Sequence, residues 1–184
     1  LANSTDGNDN VAIGRYALFN SDGDGDFNIA IGCQAMGGAD VSGADNIAIG
    51  NAAADALTSG ACNIALGLNA LGASTDGCSN IAIGNAAMGA SVNDADFNIA
   101  IGYCTLGGGD VSGSNNIVMG KDSGYDMTTG HSNVAIGCYA MGNATVAVKN
   151  VAIGCGAMNA VTTGAAESNV AIGNDAMKGS GTTT

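Results

Sequence analysis

Asn10-Val11-Ala12-Ile13-Gly14 is the first of ten copies of one pentapeptide. The pattern is Asn-(Val/Ile)-Ala-Ile-Gly, with Leu or Met once in place of the second aliphatic residue and Val once in place of Ala. The copies close at Gly14, Gly32, Gly50, Gly67, Gly84, Gly102, Gly120, Gly137, Gly154 and Gly173, at intervals of 18, 18, 17, 17, 18, 18, 17, 17 and 19 residues. Such a period equals one coil of a stacked β structure and is too regular for an irregular globular core. The sequence therefore predicts an all-β fold, a parallel β-solenoid or β-roll of ten coils with 17–19 residues per coil, left-handed, filling residues 1–184 as a single repeat domain. Function then belongs to a surface, since no pocket is implied.

The series 18, 18, 17, 17 occurs twice, so a four-coil block of 70 residues is duplicated, about 14–83 and 84–153. Asp26 to Gly32 returns unchanged as Asp96 to Gly102, and Gly37-Gly38-Ala39-Asp40-Val41-Ser42-Gly43 as Gly107-Gly108-Gly109-Asp110-Val111-Ser112-Gly113. A rod or an adhesive face survives such copying better than a catalytic site does.

Composition narrows the class. With 31 Gly, no Pro, no Trp, three Phe and four Tyr, a thick core of large side chains is not available, whereas Ala, Ile and Val suit thin coils. Sixteen acidic residues against four basic ones give a net charge of −12. That argues against nucleic acid and anionic membrane surfaces, which need a positive footprint. No apolar run reaches the ~18 residues of a spanning helix.

Within a coil the motif reads as a short strand and a glycine bend, followed by a second apolar piece, Ala-(Leu/Met), and a polar turn. Leu57 and Met127 are displaced by three residues from that second position. Strand alternation separates Val11 and Ile13 from Ala12, and the β-branched pair is expected to form the dry interior. The near-invariant alanine on the other face implies close packing there too, either by a second sheet of the same coil or by identical chains meeting. The glycine after Ile is expected to supply a positive φ or a close approach. The opening asparagines, Asn10, Asn28, Asn46, Asn63, Asn80, Asn98, Asn116, Asn133, Asn150 and Asn169, fall at one corner, where stacked amides form a structural ladder.

The copies of Asn-Val-Ala-Ile-Gly (Asn10 to Gly14, Asn133 to Gly137, Asn150 to Gly154, Asn169 to Gly173) and Asn-Ile-Ala-Ile-Gly (Asn28 to Gly32, Asn46 to Gly50, Asn80 to Gly84, Asn98 to Gly102) resemble the head repeats of YadA-type trimeric autotransporter adhesins. They are similar also to related phage tail-fibre repeats. The resemblance covers nearly the whole chain and implies a left-handed β-roll, three chains about an axis, and a role in binding surfaces or matrix. The coils here are longer than those adhesin heads carry, which leaves room for a larger turn and leaves a single-chain solenoid open.

Candidate chemistry is sparse. Asp22, Asp24 and Asp26 alternate with glycines in a turn that suits a hard cation such as calcium, although neither an EF-hand nor a full calcium β-roll repeat is present. The six cysteines lack metal-site spacing. Cys138 and Cys155 follow the motif glycine in consecutive coils, at a separation open to a disulfide. The single histidine, His131, lies in a turn and suggests no catalysis. The carboxylates of the turns, such as Asp40, Asp45 and Asp110, have no aromatic platform beside them for sugar chemistry.

The expected function is thus a structural and adhesive segment of an extracellular fibre, on a cell-surface appendage or a virion, and not an enzyme. Its partners are itself, as a homotrimer or end-to-end filament, and a host-surface protein or glycan held by variable acidic turns. The alternative is a secreted, calcium-stabilised binding module.

Overall fold

Ten three-residue strands, one per motif, make a single parallel sheet: β1 (Val11–Ile13), β2 (Ile29–Ile31), β3 (Ile47–Ile49), β4 (Ile64–Leu66), β5 (Ile81–Ile83), β6 (Ile99–Ile101), β7 (Ile117–Met119), β8 (Val134–Ile136), β9 (Val151–Ile153) and β10 (Val170–Ile172). The computed structural model describes residues 7–21, 25–92, 95–160 and 166–179. Each strand pairs with the next in chain order. The register never slips: Ala12 lies beside Ala30, Ala30 beside Ala48, and so on to Ala152 beside Ala171. The chain is an all-β solenoid, with no helix among the described residues.

The strand faces are the reverse of the expected ones. Ala30, Ala48, Ala82, Ala100, Ala135 and Ala152 are fully buried, and the flanking Val and Ile side chains are half-buried or exposed, with Ile13 58 % and Ile172 67 % accessible. Alanine is the lumen residue because the lumen is thin. Across it stand Leu18, Met36, Leu71, Met88, Leu106, Met141 and Met158, all fully buried. One such side chain and one methyl group fill the gap between the walls, so a β-branched pair must face outward. The earlier dilemma over what packs on the alanines has its answer inside the coil.

The third wall comes from the turn, which is less polar than its composition suggests: Val41, Val111, Ser21, Ser74, Ser91 and Ala144 are buried in it. Leu57 and Met127 reach the same lumen from their displaced positions and are fully buried. In their coils the usual Leu/Met site is taken by Ala54 and Gly124, which vacates the volume they fill.

Corners recur at the residue before each Asn and at the second and fourth residues after each motif glycine. Apart from Gly124 and Gly156, these positions hold non-glycine side chains in the left-handed region, as at Phe27 (φ 57°), Gln34 (φ 58°) and Met36 (φ 47°). Such a conformation costs roughly 1–2 kcal/mol per residue. It is held by rungs between coils: the N–H groups of Phe27, Gln34 and Met36 donate to the carbonyls of Asn8 (3.1 Å), Arg15 (2.9 Å) and Ala53 (3.0 Å). The motif glycines lie at φ between 125° and 143°, and a Cβ on any from Gly14 to Gly154 would strike the backbone of the glycine in the following coil. Both expected reasons for glycine apply at once.

Candidate functional site

The asparagine corner is interior and saturated. Asn46 donates its backbone N–H (2.9 Å) and its Nδ2 (3.1 Å) to Oδ1 of Asn28, and Nδ2 donates also to the carbonyl of Gly60 (2.9 Å). Asn63 repeats this on Asn46 and Gly77, and Asn98 on Asn80 and Gly113. From Asn28 to Asn150 every member is at most 1 % exposed. From Asn46 to Asn150 each amide thus meets its donor and acceptor capacity within the stack, leaving none to offer a ligand.

The other residues singled out from sequence are dispersed. Asp22 and Asp24 lie outside the described residues. Asp26 uses Oδ1 to accept the Asn8 N–H at 2.6 Å and the Asn8 Nδ2 at 3.2 Å, and its counterpart Asp96 accepts the Cys78 N–H at 2.7 Å. Both carboxylates tie one coil to the last. Cys138 and Cys155 follow the motif glycine in consecutive coils and are free thiols in this structure, as are the other four cysteines. Parallel stacking points two such side chains the same way, against the near-perpendicular torsion a disulfide needs. His131 is exposed, with Nδ1 3.3 Å from Ser132 Oγ.

Two surfaces remain. The first is the outer face of the sheet, where two parallel rows of β-branched and other aliphatic side chains run from Val11 and Ile13 to Val170 and Ile172. Phe27 and Phe97, 56 % and 60 % exposed, stand at its edge, each one residue before a motif Asn.

The second surface was not legible beforehand. Tyr103, Cys104, Asp122, Tyr125 and Tyr139 line a groove of about 310 Å³ on the side of coils six to eight. The backbone is fixed by rungs across all three coils: the Asp122 N–H donates to the Tyr103 carbonyl (2.9 Å) and the Tyr139 N–H to the Lys121 carbonyl (3.0 Å). Asp122 is 8 % exposed, while the three tyrosines remain open to solvent at 38–53 %. Tyr125 lies on Gly108 of the preceding coil, where a Cβ would collide with its ring. A hydrogen bond to the Asp122 carboxylate, then its charge, raises the Tyr139 phenol above its ordinary value. The Tyr103 phenol is raised chiefly by its hydrogen bond to Cys104. Lys121 Nζ stands 3.6 Å from Asp122 Oδ2 at the rim.

No protein-family model, curated protein or solved structure matches this chain. The two surfaces therefore carry the functional argument alone. The sequence implied no pocket, and this groove forms at Asp122, a carboxylate outside the turn residues Asp40, Asp45 and Asp110 considered from sequence. The signal that pointed to it was the crowding of three of the four tyrosines into residues 103–139. They follow their motif glycines by one, five and two residues, offsets that do not align until the corners are folded.

Proposed function

We propose that this chain is a structural and adhesive segment of an extracellular fibre in which three copies pack laterally through the outer faces of their sheets. The observation that carries this reading is the pair of unbroken aliphatic rows along all ten strands. A continuous apolar strip on a protein surface is the kind of feature that marks an interaction face. Its β-branched side chains are rigid, so ordering them at an interface costs little entropy. Acidic turns on the remaining sides keep assembled fibres soluble and apart. Repetition of the same strip in every coil makes the contact extendable, as a fibre requires.

A second reading, end-to-end stacking, is favoured by the unslipped parallel register, which a further copy could continue strand on strand. Sedimentation equilibrium separates the two. Lateral assembly gives a discrete mass three times the 17.6 kDa chain, reduced to the monomer by Ile83→Glu with Ile101→Glu, whose side chains face outward. End-to-end stacking gives a mass that grows with concentration and ignores those substitutions. A stable wild-type monomer overturns both.

A further inference from the structure

We propose that the groove between Tyr103, Tyr125 and Tyr139 is a binding site for a neutral pyranose unit of a glycan. The proposal deepens the adhesive reading by naming what one side of the rod holds.

The groove offers what a pyranose needs. A pyranose has an edge of hydroxyl groups and a face of C–H groups, so it needs hydrogen-bonding groups and an aromatic plate together. Asp122 supplies acceptor oxygens on the floor, and hydrogen bonds to a carboxylate are among the stronger ones. Lys121 supplies a donor at the rim, its side chain 60 % exposed and its contact with Asp122 long enough at 3.6 Å to exchange for a hydroxyl. The tyrosine rings present apolar faces with polar tips. At about 310 Å³ the groove is at the small end of ligand sites, suited to one sugar ring with the rest of the chain leaving into solvent.

Charge selects the class. Asp122 and Lys121 cancel locally, so an organic cation, the other usual guest of clustered aromatic rings, gains only the long-range attraction of the chain's net charge, which salt screens. An anion is repelled by a chain of net charge −12. A neutral polyol has neither handicap.

The internal duplication shows that the fold does not need this groove. Tyr103, Cys104, Asp122, Tyr125 and Tyr139 correspond, 70 residues earlier, to Cys33, Gln34, Ala52, Asp55 and Asn69. None of the five is kept, and Asn51 to Leu57 shares no residue with Lys121 to Met127, although Gly37-Gly38 and Asp40-Val41-Ser42-Gly43 persist as Gly107-Gly108 and Asp110-Val111-Ser112-Gly113. The first copy builds the same coils with these positions filled otherwise. Stability therefore does not account for three tyrosines and a buried carboxylate converging in the second copy.

The duplication also supplies the control. Asp122→Ala, Tyr125→Asp and Tyr139→Asn together restore the first copy's residues at three of the five positions; they are expected to leave the circular dichroism of the rod unchanged and to lower its melting by no more than about 1–2 °C, the cost of a carboxylate placed as Asp55 is. Saturation-transfer difference NMR is run on the whole chain with methyl β-galactopyranoside, methyl β-glucopyranoside and N-acetylglucosamine, and with choline chloride as the charged comparator. The expected result is transfer to the C–H protons of at least one sugar, reduced at least fivefold in the triple variant and at least threefold in Tyr125→Asp alone, should the triple variant melt early. No transfer to any of the three sugars, transfer undiminished in either variant, or transfer to choline in their place overturns the proposal. Sedimentation of the same samples keeps the two readings apart. A monomer that binds sugar removes the fibre and leaves the site, and a trimer that binds none does the opposite.

Discussion

At the scale of the residue, position in the stack decides what an identical side chain is worth. Asn98 holds four hydrogen bonds of its side chain inside the lumen, two to Asn80 Oδ1 and Gly113 and two received from Asn116. Replacing it by alanine leaves the Gly113 carbonyl and the Asn116 N–H unpaired and buried, at about 1–3 kcal/mol for each group. Asn169, half-exposed near the C-terminal end, gives up one described bond, to Asn150. Asn98→Ala should therefore lower stability by about 2–5 kcal/mol and Asn169→Ala by less than about 1 kcal/mol, read from urea unfolding; equal losses would mean the ladder has no interior advantage. Asp55 is the opposite case, a carboxylate whose Oδ1 is buried without a partner. Burial raises its pKa above the ordinary value, the backbone N–H groups of Gly38 and Gly37 offsetting part of that. A raised carboxylate pKa means that the folded chain binds the proton more tightly than the unfolded one. Ionisation of Asp55 thus costs stability above its folded pKa, and the cost disappears as pH falls below the unfolded value. Asp55→Asn should raise the melting temperature slightly at pH 7, on the order of 1–2 °C for a chain of this size, with no rise at pH 3.

At the scale of the element, the coil conserves volume rather than residue identity. β7 carries the one valine in the lumen row, Val118, and the same coil has Gly124 where the others, apart from the coil of Ala54, have Leu or Met. A Cβ on Gly124 would lie 2.9 Å from Leu106 Cδ2 and 3.1 Å from Val118 Cγ1, so the added methyl groups on one wall are matched by a missing side chain on the other. Gly124→Ala should cost about 2–3 kcal/mol, about 1 kcal/mol by overpacking and the rest because Gly124 lies at φ 58°. In a Val118→Ala background the overpacking part should shrink while the backbone part stays, giving a coupling of roughly 0.5–1 kcal/mol in a double-mutant cycle; additive losses would mean the two positions do not share space. This sharing explains what was legible in the sequence. Ten strands, their parallel order and their unslipped register follow from a motif repeated at nearly constant spacing. Which face of Val11-Ala12-Ile13 is inside does not, because alternation defines two faces without naming them, and the thinness of the lumen emerges only when the coil closes. The groove was hidden for a related reason: left-handed corners at Cys104, Asp122 and Tyr139 stack these residues in one column, and no linear pattern announces a corner held by its neighbours.

At the scale of the whole molecule, the rod is close to one-dimensional, each strand touching the strand before and the strand after and no other. Ten strands at about 4.8 Å give a rod of about 48 Å. Stability in such an array is a sum of coil terms and nearest-neighbour interfaces, so whole coils can be removed in phase without breaking contacts elsewhere. Deleting residues 84–153 joins Ile83 to Gly154 and restores the motif Asn80-Ile81-Ala82-Ile83-Gly154 across the junction. Asn80 Oδ1 then meets Asn169 where it met Asn98, and Ala82 faces Ala171. The shortened chain should keep the same far-UV spectrum per residue and lose about 19 Å of length by small-angle scattering, four strand spacings. It should also melt at a lower temperature, because four interfaces are gone while both ends remain. If three copies pack along the sheet, the shortened chain still has the face to do so over six strands, and its discrete mass in solution stays a threefold multiple. The groove goes with the deleted block, so the same variant should assemble and yet bind no sugar. A deletion variant that unfolds would mean the coils communicate beyond their neighbours, and one that keeps sugar binding would mean the tyrosines are not where the sugar sits.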